Sequence, residues 1–343
     1  MRFFTRAFHR LNWSLIFLFN QQVESIGGQA VVEGVLMRSP RRLAIAVRAP
    51  DGSIVLENQE FLSYSRRYKI LSLPILRGAA SLIESLAIGI KALNFSMSVQ
   101  EKGLLEIANA ESKASGNSQA LSPAPAESKG SLESLWVGLS LLSSLLMAIG
   151  LFQLLPYFVA GHVIGGTKTD PSNPVLFNLT AGCVRISLLL TYMWGISYLK
   201  DIKRVFQYHG AEHKSIFAYE RKTELDVPAA RAQSRFHPRC GTSFILIVAL
   251  VCMAFFSVLD GFLWQAFHYT YPTFFHRFLI HLPFIPFVAG LSFEVLKLTA
   301  KYQDSLWVKP FILPGLWLQK ITTQEPDEKQ LEVAIASIHA SLA

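Results

Sequence analysis

Four apolar stretches, at residues 135–160, 175–199, 243–267 and 278–299, constrain this chain more than any other feature. A helix crossing a bilayer core needs roughly 20 residues at about 1.5 Å each, and every stretch meets that length. The first has no charge, the second carries Arg185, and the third carries only Asp260 near its end. The fourth is the most interrupted, by Pro283, Pro286, Glu294 and Lys297. Composition agrees: 51% of residues are hydrophobic, only 16% are charged, and mean hydropathy is +0.33. A soluble domain would be about one quarter charged. The expected fold is a mainly α-helical polytopic membrane protein of about four transmembrane helices, with a small N-terminal β-containing cytoplasmic subdomain.

Lysine and arginine counts orient the spans. The connection between the first and second holds only Lys168, and that between the third and fourth only Arg277. The 200–242 loop holds Lys200, Lys203, Arg204, Lys214, Arg221, Lys222, Arg231, Arg235 and Arg239. That loop and both termini are therefore expected in the cytoplasm. The net charge of +8 sits beside apolar runs, which suits anionic membrane lipids as partners and argues against nucleic acid. Cys183, Cys240 and Cys252 show no paired framework, consistent with a reducing compartment around the loop.

The rest of the chain divides by composition. Residues 1–71 comprise an uncleaved interfacial segment, then short β-type runs at Val31-Val32, 43–47 and 54–56, with Asp51-Gly52 as a hairpin turn signal. Residues 72–100 read as an interfacial amphipathic helix, with Arg77, Glu84 and Lys91 seven residues apart on a polar stripe. A fifth crossing there would invert the charge pattern downstream. Residues 101–134, rich in Ala, Ser, Gly, Pro, Glu and Lys, read as a disordered linker. The transmembrane domain spans 135–299. In 300–343, Trp307 and Trp317 suit an interface, and an amphipathic helix follows Pro326 with Leu331, Ile335, Ile338 and Leu342 on one face. Within the membrane, Arg185 and Glu294 are a candidate pair. The histidines at 162, 268, 276 and 281 read as outer interfacial residues.

Chemistry concentrates at the ends of the 200–242 loop. His209 and His213 are four apart, on one helical face, and can reach one ion. Glu212 beside them can act as general base on metal-activated water, in the His-x-x-Glu-His order. At the other end, His237-Pro238-Arg239-Cys240-Gly241 forms a plausible ligating knuckle. Antiparallel second and third spans would bring the two ends together. His209, His213, His237 and Cys240 are thus the candidate ligands, and their donor set favours Zn2+ over Fe2+ or Mn2+. Four ligands would make a structural site; three would leave a position for water. Glu33 and Arg38 are the only charges in the 27–38 stretch and read as a strand-borne ion pair.

Four motifs then coincide: 27–34 (GGQAVVEG), 208–214 (YHGAEHK), 237–242 (HPRCGT) and 314–319 (PGLWLQ). In this order they resemble the YqhQ-like bacterial membrane proteins of unknown function, described as predicted metal-dependent enzymes. The resemblance implies a bacterial plasma-membrane location and raises Glu33 and Arg38 to catalytic candidates beside Glu212. Three functions stay open. One is a metal-dependent hydrolase acting on a lipid-linked or membrane-protein substrate. Another is a non-enzymatic scaffold with a structural zinc. The third is a transporter lined by Arg185, Glu294 and the 77–91 stripe, which with four spans would need homo-oligomerisation.

Overall fold

A computed structural model describes residues 26–114, 131–164, 173–302 and 305–343. Four strands, β1 (Gly27–Val31), β2 (Gly34–Arg38), β3 (Arg42–Arg48) and β4 (Ile54–Glu60), form an antiparallel meander in chain order. The Asp51-Gly52 signal is borne out: Gly52 has φ +90° in the β3–β4 turn. Glu33, in the β1–β2 turn, holds φ 52°, which is uncommon for a side-chain-bearing residue. β3 is buried from Leu43 to Val47 because both sheet faces are covered. Val35, Met37 and Ala46 point to one core; Leu36, Leu43, Ile45 and Val47 point to the other. This is the period-two alternation of a strand, with an apolar layer on each side.

Three helices supply those layers. α1 (Leu76–Ala114) places Ala92 and Val99 on one face of the sheet. α5 (Lys200–Glu220) and α10 (Glu328–Leu342) cover the other with Tyr208, Ala211, Leu331 and Ile338. α10 starts where expected: Asp327 caps it in a reciprocal capping box with Gln330. The C-terminal helix is therefore part of the sheet's core rather than a free amphipathic segment.

The intervening helices of eight residues or more are α2 (Ser131–Ile149), α3 (Leu155–Val163), α4 (Pro174–Ile196), α6 (Gly241–Phe267), α7 (Phe274–His281), α8 (Ile285–Lys301) and α9 (Lys309–Thr322). A π-helical turn at Gly150–Leu154 joins α2 to α3. Among the described residues, five helical segments, not four, are long and apolar enough to cross a membrane: Leu76–Lys113, Leu142–Val163, Pro174–Ile196, Gly241–Phe267 and Phe274–Lys301. The last four overlap the expected spans. The additional one is α1, whose apolar content meets the length criterion while its polar stripe is engaged by protein. Arg77 pairs with Glu294, Glu84 with Arg38, and Lys91 with Glu57. Its Ile83, Leu86, Ile90 and Met97 remain exposed on another side.

Two further expectations need correction. Residues 101–114 are helix, not linker, because their Ala, Glu, Lys and Leu are good helix formers. Residues 115–130 of the expected linker, and the expected interfacial segment at 1–25, lie outside the described residues. Arg185 and Glu294 do not pair. Arg185 donates to Phe152 O and Gln153 Oε1, both 2.9 Å away at the π-turn, and Glu294 is taken by Arg77. A widened turn frees a carbonyl that regular helix would use, which local sequence does not reveal.

His281, expected as an interfacial residue, is enclosed by protein. It lies buried against Asp260 at 2.9 Å, in a cluster completed by Asn178, Tyr271 and Arg277.

Candidate metal centre

α5 carries two imidazoles one turn apart. Each is oriented by a backbone carbonyl: His209 Nδ1 lies 2.8 Å from Thr322 O and His213 Nδ1 lies 2.6 Å from Arg235 O. A carbonyl only accepts, so each Nδ1 carries the proton and each Nε2 presents a lone pair. Such outer-shell bonds orient metal-ligating histidines. Cys240, the N-cap of α6, completes the group, with Sγ 3.1 Å from His209 Nε2. One donor atom from each of His209, His213 and Cys240 lies within 4.8 Å of the others.

The surrounding chain shapes this arrangement. Gly210 gives the 322–326 segment its path across α5; a Cβ there would collide with Gln324 O, and the close pass puts Thr322 O on His209. Lys214 holds the other side of the loop through Arg231 O (3.0 Å), Gln233 O (2.9 Å) and Glu325. Fully buried Gln319 on α9 accepts from His237 N–H at 2.8 Å and donates to His237 O at 2.7 Å and Ser243 Oγ at 3.2 Å. Gln319 thereby pins the knuckle to α6. It lies in the 314–319 motif, but its role was invisible before the fold placed α9 beside the loop.

His237 stands apart from the three-donor group. Its Nδ1 accepts from Arg239 N–H and its Nε2 faces Glu220, each at 3.3 Å. Glu33 and Arg38 are separated from each other. Glu33 accepts from Arg204 and from the Tyr208 hydroxyl at 3.1 Å, docking the β1–β2 turn on α5. Arg38 meets Glu84 at 3.3 Å and lies over the Phe61 ring.

The electrostatics are those of a dry site. Burial pushes the Glu212 carboxyl up to about 8, with His209 opposing and Cys240 reinforcing the shift. Burial lowers His213, so its imidazole is neutral near pH 7, the ligating form. Burial likewise lowers His237, to about 4. Burial alone would raise Cys240, but the adjacent His213 ring and the Thr242 hydroxyl and N–H outweigh it, leaving the thiol below its ordinary value. All three cysteines are free.

Two buried polar atoms here, Glu212 Oε2 and His213 Nε2, have no hydrogen-bond partner. Orphaned buried groups are costly, and a divalent cation would satisfy them: it would take the Nε2 lone pair and favour the carboxylate over the neutral acid. Gly28 of β1 packs directly on Glu212, where a Cβ would approach the carboxyl to 2.7 Å. The donor set therefore fits a metal ion, with the 27–34 motif as its roof.

The fold defines a multi-pass membrane protein whose layered sheet-and-helix cap sits over a three-donor group. Residues 73–343 match the protein family of unknown function DUF1385, and the chain belongs to that family. It is 37% identical over 333 residues to the uncharacterized protein YqhQ of Bacillus subtilis (strain 168), a match covering 92% of each chain. No solved structure matches the chain. The resemblance carried by the four motifs thus holds at the level of the family.

Proposed function

We propose that this protein binds one divalent metal ion, zinc in preference to Fe2+ or Mn2+, through His209, His213 and Cys240, and acts as a metal-dependent hydrolase. The carrying observation is the pair of orphaned buried atoms, Glu212 Oε2 and His213 Nε2, beside a three-donor group. A thiolate with two neutral imidazoles suits zinc. Three protein donors leave one tetrahedral position free, where a bound ion would supply Lewis acidity and lower the pKa of water. Glu212 is the proton acceptor in this reading; Gly28 and the α5 backbone hold it beside the donors. His237 is a positioning residue that braces the Cys240 turn through Gln319 and Glu220. Glu33 and Arg38 act at one remove, Glu33 by fixing Tyr208 and α5.

The basic 200–242 loop supports a cytoplasmic orientation for this face and for both termini, in the plasma membrane of a bacterium. Membrane lipids are the immediate surroundings, and a lipid-linked or membrane-protein substrate fits a site at that level. A closed structural zinc would need a fourth donor, and both His237 ring nitrogens already have protein partners. A transport path along the 77–91 stripe fits less well, since Arg77, Glu84 and Lys91 are each paired. Elemental analysis of the full chain in detergent tests the metal reading. About one zinc per chain is expected, lost in His209→Ala and Cys240→Ala and kept in Glu212→Gln. A wild-type protein purified without metal, and unable to take up added zinc, ends it. For the base assignment, Glu212→Gln should keep zinc but fail to complement a deletion strain; full complementation removes it.

A further inference from the structure

An apolar groove runs beside the metal centre. Its walls are Leu86, Ile90 and Leu93 of α1, Phe244 and Ile245 of α6, and Phe293 of α8, around a cavity of about 540 Å³. That volume lies in the usual range for small-molecule sites. Along α1 the groove extends from Gly78 to Leu93, about 22 Å at about 1.5 Å per residue. Leu86, Ile90, Leu93 and Ile245 remain exposed. α6 and α8 belong to segments apolar enough to span a membrane, and the exposed apolar side chains on the open side suit contact with hydrocarbon.

Arg38 and Arg239 also line this groove, and both continue into a second cavity of about 290 Å³ that includes Arg66. Three arginines thus line the smaller cavity, with Arg66 Nη1 donating to Pro40 O at 3.1 Å, and no Asp or Glu lines it among the described residues. Glu84 and Glu220 hold Arg38 and Arg239 from outside the cavity lining. Ser39 and Ser63 line it too, the Ser39 hydroxyl being engaged by the backbone of Arg41 and Arg42. Apolar walls leading to clustered guanidinium groups match one chemistry: a hydrocarbon chain ending in an anionic, multi-oxygen head. Arginine forks suit phosphate oxygens, and basic pockets between membrane helices hold anionic lipid heads.

We infer that this groove binds an anionic phosphate-headed membrane lipid, its chain against α1, α6 and α8 and its head at Arg38, Arg66 and Arg239. Arg239 and Gly241 flank Cys240 in the chain, and Gly28, on the groove's edge, touches Glu212. The head is thereby brought to the threshold of the metal centre. Lipid binding stands without the metal; the lipid's role as substrate, or as the carrier of one, rests on the hydrolase reading.

The test is native mass spectrometry of the full chain in a neutral detergent, with phosphatidylglycerol and phosphatidylcholine of matched chains and with zinc content read on the same samples. Phosphatidylglycerol should be retained at least ten-fold more tightly than phosphatidylcholine. R38Q/R239Q should abolish that preference. R66Q, at an exposed residue that leaves the buried Glu84 paired, should weaken phosphatidylglycerol about three-fold. S81W, which fills the apolar end, should weaken both lipids. Millimolar inorganic phosphate should not compete, because it lacks a chain. Equal retention of the two lipids overturns the inference. So does displacement by phosphate, or unchanged phosphatidylglycerol retention in R66Q and the folded double variant. Zinc without lipid preference defeats the lipid inference alone; lipid preference without zinc defeats the metal reading alone.

Discussion

Helix α6 carries a polar cluster near each end, and the two are built on opposite principles. Near its C-terminal end Asp260 is saturated by protein: Asn178 Nδ2 at 2.8 Å, Tyr271 hydroxyl at 2.6 Å, Arg277 Nη2 at 2.8 Å and His281 Nε2 at 2.9 Å. Arg277 Nη1 makes no hydrogen bond, but its guanidinium lies over Phe177 and Tyr271. At the N-terminal end Cys240, His209 and His213 converge while Glu212 Oε2 and His213 Nε2 stay unpartnered. The first cluster closes on itself and anchors α4, α6 and α7. The second leaves two buried polar atoms without a hydrogen-bond partner. Cys240 and Asp260 are twenty residues apart, about 30 Å along the helix, which is the thickness of a bilayer's hydrocarbon core.

The contrast can be broken in graded steps. Asp260→Ala should have the largest effect, leaving Arg277 buried and uncompensated at a cost of about 3–5 kcal/mol. Thermal unfolding in detergent should fall sharply, with zinc affinity of the surviving protein unchanged. Next comes the metal itself. At about 100-fold excess over its Kd a bound ion stabilises by about 2.7 kcal/mol, so chelation should lower the wild-type Tm and leave the Tm of Cys240→Ala unmoved. His237→Ala should cost about 1–3 kcal/mol, as expected when a buried hydrogen-bonded group loses its partner, while retaining zinc; loss of zinc would make His237 a ligand. Arg204→Ala, which removes the half-exposed partner of Glu33, should cost only about 0.2–1 kcal/mol and leave metal content intact.

These two clusters were unequally legible in the sequence. The His/Cys one announces itself locally: two histidines four apart and a His/Cys knuckle at the far end of the same loop. What the local pattern hides is the supporting cast. Thr322 O and Arg235 O orient the rings, and Glu220 engages His237, through contacts up to 113 residues apart. The Asp260 cluster draws Asn178 from α4, Asp260 from α6, Tyr271 from the connection before α7, and Arg277 and His281 from α7, and no spacing rule links Asn178 to Asp260 or Asp260 to His281. The same limit explains why Arg185 and Glu294 read as a pair: nothing in their own spans reveals the π-turn or Arg77. Elements ruled by local physics, such as the Asp51-Gly52 turn and the helix that follows Pro326, were readable directly, although the capping role of Asp327 was not.

The sheet's final layer has a bearing on the order of assembly. α10 closes the core over β2 and β3, with Ser337 Oγ donating to Ala44 O at 3.1 Å across 293 residues of sequence. Asn58 reaches Ala340 O in the same way, at 2.8 Å. During synthesis the strands emerge first, yet their covering helix comes after every apolar span. At roughly 5–20 residues per second, translation leaves the strands without that layer for on the order of 15–60 s. That face of the sheet can therefore be closed only once every apolar span has been synthesised, so the cap is the last part of the fold to be completed.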